Sequence, residues 1–167
     1  MEYNDLYDEF MMQEQIPLVE PGIKGRLELA KCFRALARFG DSAGECEIRN
    51  ALSRSYYAVF HASVAFLMAK NEPGSKGNIN HEQLQGKIGV ILGKGAKSTL
   101  QALLSDRTQA DYDWNYLDRK FQGSVETFRA QAALRLEVHS AEYEAYLERI
   151  WKIDEEKGQA RQEEASQ

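Results

Sequence analysis

The residues best suited to chemistry lie in "ALSRSYYAVFHAS", residues 51–63, where Arg54 and His61 enclose six residues of an otherwise apolar run. On an α-helix, seven steps return a side chain to within about 20° of its starting angle and about 10.5 Å along the axis. Arg54 and His61 therefore share a face, with Ala58 and Ala65 between and beside them and Asn50 and Tyr57 on the flank. A histidine titrates near neutral pH and can give or take a proton. A guanidinium holds a phosphate through paired hydrogen bonds and neutralises charge that builds in a transition state. Those two roles suffice for metal-independent RNA cleavage, in which a ribose 2'-hydroxyl attacks its own phosphate. The structural alternative is an ion pair from Arg54 to an acid such as Glu47 or Asp111, with His61 a satisfied, partly buried imidazole.

A long helix must carry this face. Leu52, Tyr56, Val59, Phe60 and Leu67 gather on the opposite side of the wheel as a core stripe. The helix is expected over 44–69, with Ser42 as an available N-cap, and Pro73, Gly74 and Gly77 forbid its continuation. Before it, 24–39 reads as a helix whose Lys24, Lys31 and Arg38 mark a basic outer face. After it, Asn80 and Gln83 resemble a capping box opening a helix to Leu92, which "GKG" (93–95) breaks. A further helix is expected over 96–104, then an irregular connection through "SDRTQADYDWNY". Ser124 is a plausible cap for a last helix to about Glu156, with Val125, Phe128, Ala132, Leu136, Tyr143, Leu147 and Trp151 along its spine. No segment alternates as a half-buried strand does, so the fold class is all-α, a bundle of about five helices dominated by two long ones. The expected organisation is an acidic N-terminal arm (1–22), a helical-bundle domain (23–156) and a disordered C-terminal tail (157–167).

Composition narrows the partners. The net charge is -5, yet residues 1–20 hold six acids and no Lys or Arg, and 137–167 hold nine acids against four bases. The middle, 21–136, is left with 17 bases and 11 acids, which permits contact with RNA or nucleotide without requiring it. No apolar run approaches the roughly 20 residues that span a bilayer, and the acidic start is unlike a secretory signal, so a cytoplasmic protein without membrane contact is expected. Cys32 and Cys46 are expected to be buried free thiols. No His/Cys/carboxylate cluster at ligand spacing is visible, and no metal or other cofactor is expected. "LGKGAKS" (92–98) lacks the spacing and preceding strand of a phosphate-binding loop.

"SRSYYAVFHAS" resembles the signature of the HEPN superfamily (higher eukaryotes and prokaryotes nucleotide-binding domain), an arginine and a histidine on one helix with four to six residues between them. Small stand-alone prokaryotic members also carry a histidine opening the next helix and a later "R..ADY" segment. The counterparts here are His81 in "INHEQL" and Arg107, Asp111 and Tyr112 in "DRTQADY". The resemblance spans roughly residues 24–150. It implies an antiparallel helical bundle that dimerises so that two Arg/His motifs line one cleft. It also implies a metal-independent endoribonuclease toxin of a toxin–antitoxin or anti-phage module, with RNA as substrate and a nucleotidyltransferase-like antitoxin as cognate partner. His61 would then be the general acid/base and Arg54 the phosphate and transition-state ligand, with Asn50, Tyr57, His81, Arg107, Asp111 and Tyr112 in support. Many active members place Asn, Asp or His directly after the arginine; Ser55 stands there in this chain, and Asn50 or Tyr57 is the candidate substitute. Other members of the superfamily are noncatalytic modules that bind nucleotides or protein partners, and that alternative stays open.

Overall fold

Helical periodicity and its punctuation account for most of the architecture. The computed structural model describes residues 21–165, which form α1 (Pro21–Leu36), α2 (Glu45–Ala69), α3 (His81–Leu92), α4 (Lys94–Tyr112), α5 (Tyr116–Phe121) and α6 (Val125–Ala165). The described residues contain no strand, and the molecule is an all-α helical bundle. No helix among them is long and apolar enough to cross a membrane. Most of the acidic arm, residues 1–20, lies outside the described residues.

The helix ends have local causes. Asn80 Oδ1 accepts from the Gln83 amide (2.8 Å) and Gln83 Oε1 from the Asn80 amide (3.0 Å), so the expected capping box opens α3. Gly93 alone breaks α3 from α4, at φ +90°, a value an L side chain rarely adopts. Ser124 Oγ accepts from the Thr127 amide and caps α6. The start of α2 differs from expectation. Its N-cap is Gly44, and Glu47 rather than Ser42 supplies the capping oxygen, accepting from the Gly44 amide at 2.8 Å.

Larger departures have tertiary causes. α4 continues eight residues past Leu104, through much of the stretch expected to be irregular. Arg49 of α2 donates to the carbonyls of Gln109, Ala110 and Asp113 (3.1, 3.0 and 3.0 Å), tying the end of α4 to α2. The remainder holds α5, a helix of six residues, so six helices stand where about five were expected. α6 runs on as helix through 157–165, and Lys157 Nζ donates to the Ala69 carbonyl at 2.9 Å. Lys31 is buried instead of forming a basic outer face with Lys24 and Arg38; α1 stops at Leu36, so Arg38 is not on that helix at all. Cys46 is exposed, not buried.

α2 is the hub, packed most extensively against α1 and α6 and then against α4. The neighbouring pairs α1/α2, α2/α4 and α3/α4 run antiparallel. α2 and α6 run in the same direction, for Ala43, Ser55, Phe66 and Ala69 meet Arg129, His139, Tyr146 and Lys157 in order. Tyr56, Phe66, Leu67, Ile88, Tyr143 and Tyr146 belong to one core cluster, and Ile48, Leu52, Tyr116, Phe128 and Ala132 to a second beneath the start of α2. Each buried large side chain contributes about 1.5–3 kcal/mol, which is what holds so polar a helix as α6 in place.

Candidate functional site

Arg54 and His61 do share a face of α2, but that face is not open. α1 covers it, and from Ala51 to Ala69 only Arg54 and Tyr57 are less than fully buried. The helical wheel placed the pair opposite the apolar stripe; it could not show that both sides of α2 would be covered.

Phe33 of α1 organises the face. Its ring stacks on His61 (centroids 5.5 Å apart, planes within 7°) and on Tyr57 (5.3 Å), and the Arg54 guanidinium carbon lies 5.7 Å from its centroid. Asn50 Oδ1 accepts from Arg54 Nε at 3.2 Å, one helical turn away, and so orients the guanidinium. Arg26 Nη1 donates to His61 Nδ1 at 3.2 Å. Because a guanidinium has no acceptor, Nδ1 supplies the lone pair and the neutral imidazole carries its proton on Nε2. His61 is 9 % exposed, and burial first, the Arg26 charge second, lower its pKa to about 4. Among the described residues no carboxylate forms an ion pair with Arg26 or Arg54: Glu47 serves the Gly44 amide and Asp111 serves Arg107.

The remaining sequence candidates assemble beside this group. Arg107 Nη2 donates to the hydroxyls of Tyr57 (2.9 Å) and Tyr112 (3.1 Å), its Nε pairs with Asp111 Oδ2 (2.8 Å), and its guanidinium lies over both tyrosine rings. Ser53 Oγ donates to the same Asp111 oxygen at 3.1 Å. The Tyr56 hydroxyl meets His81 Nδ1 at 2.6 Å, with burial and the nearby Arg107 charge lowering the His81 pKa and burial raising that of Tyr56. All eight candidates thus belong to one contact network, joined through Phe33, Tyr56 and Tyr57. Arg26 and Phe33 are the residues sequence reasoning missed as site members. Their one signal is that they too stand seven apart, on the helix that lies antiparallel to α2.

Ser55 does not stand in for the polar helper. A step of one residue turns it about 100° from Arg54, and its Oγ meets His139 Nδ1 of α6 at 2.6 Å, with the Leu52 carbonyl 2.8 Å away. His139 is 1 % exposed, and its Nε2 faces Asp106 Oδ2 at 3.4 Å while Arg135 pairs with the other Asp106 oxygen at 2.7 Å. This chain ties α2, α4 and α6 together behind the site.

Among the described residues no group of three or more His, Cys, Asp or Glu side chains is arranged to hold a metal ion. No protein-family model, curated protein or solved structure matches the chain.

Proposed function

We propose that this chain is a metal-independent endoribonuclease of the HEPN type, acting as the toxin of a toxin–antitoxin or anti-phage module, as a cytoplasmic homodimer whose two copies share one cleft. The observation that carries this reading is the convergence of Arg54 and His61 on the Phe33 ring, with no described carboxylate neutralising Arg54. A guanidinium held by Asn50 and otherwise uncompensated is suited to a phosphodiester. In the reaction the RNA 2'-oxygen bonds to the adjacent phosphorus and the P–O5' bond breaks. The 2'-hydroxyl proton is taken up, the 5'-oxygen is protonated as it leaves, and a 2',3'-cyclic phosphate remains. Arg54 binds the non-bridging oxygens, and His61, neutral at physiological pH, accepts a proton at Nδ1 once Arg26 releases that nitrogen.

The second reading is a noncatalytic HEPN module that binds a nucleotide or a partner protein, and the burial of His61 with its Nδ1 engaged by Arg26 favours it. Incubating the purified full chain with RNA in EDTA and analysing the ends separates the two. Cleavage to 2',3'-cyclic phosphate termini, abolished in Arg54→Ala and His61→Ala variants of unchanged circular dichroism, is the expected result. RNA left intact by the wild-type chain, or cut equally by both variants, overturns the enzyme reading.

A further inference from the structure

Two heptad-spaced pairs face each other across the α1/α2 interface: Arg26 and Phe33 on one helix, Arg54 and His61 on the other. The antiparallel packing sets Arg26 against His61 and Phe33 against Arg54. One guanidinium therefore lies at the edge of the imidazole and the other over the phenyl ring stacked on it. Both are half-buried and neither pairs with a described carboxylate. Like charges gathered at a partly desolvated surface without an anion oppose one another, and the neutral imidazole between them offers no compensation. Further titratable groups touch the aromatic residues of this face: His81 of α3 packs against Tyr56 and Phe60, Arg107 of α4 lies over Tyr57, and the Tyr57 hydroxyl accepts from Arg107. Among the described residues, no carboxylate balances the charge of this site.

We infer that Arg26 and Arg54 form a two-pronged site for a phosphate-type oxyanion, and that the bound anion draws Arg26 away from His61 Nδ1. The move has two consequences for His61. It frees the only nitrogen with a lone pair, and it replaces a neighbouring cation with an anion, so that the ring gains proton affinity when the site is filled. Proton uptake and anion binding are then reciprocally linked. If the ribonuclease reading holds, the substrate's own phosphate switches His61 from a ring engaged by Arg26 to one able to take a proton; the inference rests on that reading for its setting only.

The test is an NMR titration of the His61 ring in the full chain, assigned by its loss in His61→Asn, with and without inorganic phosphate at constant ionic strength. Saturating phosphate should raise the His61 midpoint by at least one pH unit, a tenfold gain in proton affinity. In Arg26→Gln the phosphate-induced shift should vanish and phosphate should bind about tenfold more weakly, while Arg26→Lys recovers part of both. Circular dichroism of each variant checks the fold. A midpoint indifferent to phosphate, an equal shift with sodium chloride, or undiminished phosphate binding by folded Arg26→Gln overturns the inference. A ribonucleoside 3'-monophosphate that binds more tightly than phosphate assigns the anion to nucleic acid, and equal binding assigns it to free phosphate. Loss of the RNA-cleavage reading with the phosphate coupling intact leaves this site standing. Cleavage that depends on Arg54 and His61 without any phosphate effect removes this site alone.

Discussion

Arg26 Nη1 donates to Nδ1 of His61 at 3.2 Å, so the imidazole of the candidate site, kept neutral first by its burial, also faces a cation from the neighbouring helix. Burial lowers the His61 pKa to about 4 and Arg26 adds to the effect. Below the ordinary histidine value of about 6.5 the unfolded chain binds a proton that the folded chain refuses. The His61 contribution to stability is therefore complete above about pH 6.5, is lost as the pH falls toward 4, and totals of the order of 3 kcal/mol. His81, also lowered, acts in the same direction. Urea unfolding at pH 7.5 and 4.5 should show the loss, and His61→Asn should make it smaller; an unchanged pH dependence in that variant would show that His61 is not its source.

Phe33→Leu should separate folding from function. Leucine keeps most of the apolar contact, so the expected destabilisation is about 1 kcal/mol. It offers no flat face to His61, Tyr57 or Arg54. RNA cleavage should fall at least tenfold, with binding of phosphate less affected than turnover; a variant that cuts as fast as wild type would mean the ring is only packing.

The Ser55–His139–Asp106 chain is structural. Replacing His139 with alanine removes one partner each from Ser55 and Asp106, which keep the Leu52 carbonyl and Arg135, and opens a cavity, at a cost of about 2–4 kcal/mol. Denaturant midpoints should drop accordingly, while RNA cleavage measured well below the unfolding transition stays within a few-fold of wild type. A stable but inactive His139→Ala protein would move this histidine into the site.

Trp114 is 87 % exposed in the short link between α4 and α5, next but one to Tyr112, which is 67 % exposed and carries the Arg107 guanidinium over its ring. Exposed aromatics beside a cation stack on nucleobases, at about 1–3 kcal/mol per base. Trp114→Ala should leave the unfolding midpoint unchanged and weaken single-stranded RNA binding about fivefold or more in a fluorescence-anisotropy titration. Equal affinity would leave Trp114 without a part in RNA contact.

The sequence by itself determined the all-α class and several helix ends, because capping and φ-restricted turns are local. The Asn80/Gln83 box, Gly93 and the Ser124 cap stand where the pattern put them. It also determined that Arg54 and His61 share a face, since that follows from 3.6 residues per turn alone. Only the tertiary structure decided what that face meets. Helical periodicity reports an angle about one axis and says nothing of the neighbour across it, so Phe33 and Arg26 were hidden until α1 lay antiparallel on α2. The burial of His139, the cap that Arg49 places on α4, and the shared direction of α2 and α6 depend likewise on contacts between residues 60 to more than 80 positions apart. The chemistry of His61 was hidden for the same reason: the spacing supplied an imidazole, and burial together with a guanidinium from another helix decided its protonation state.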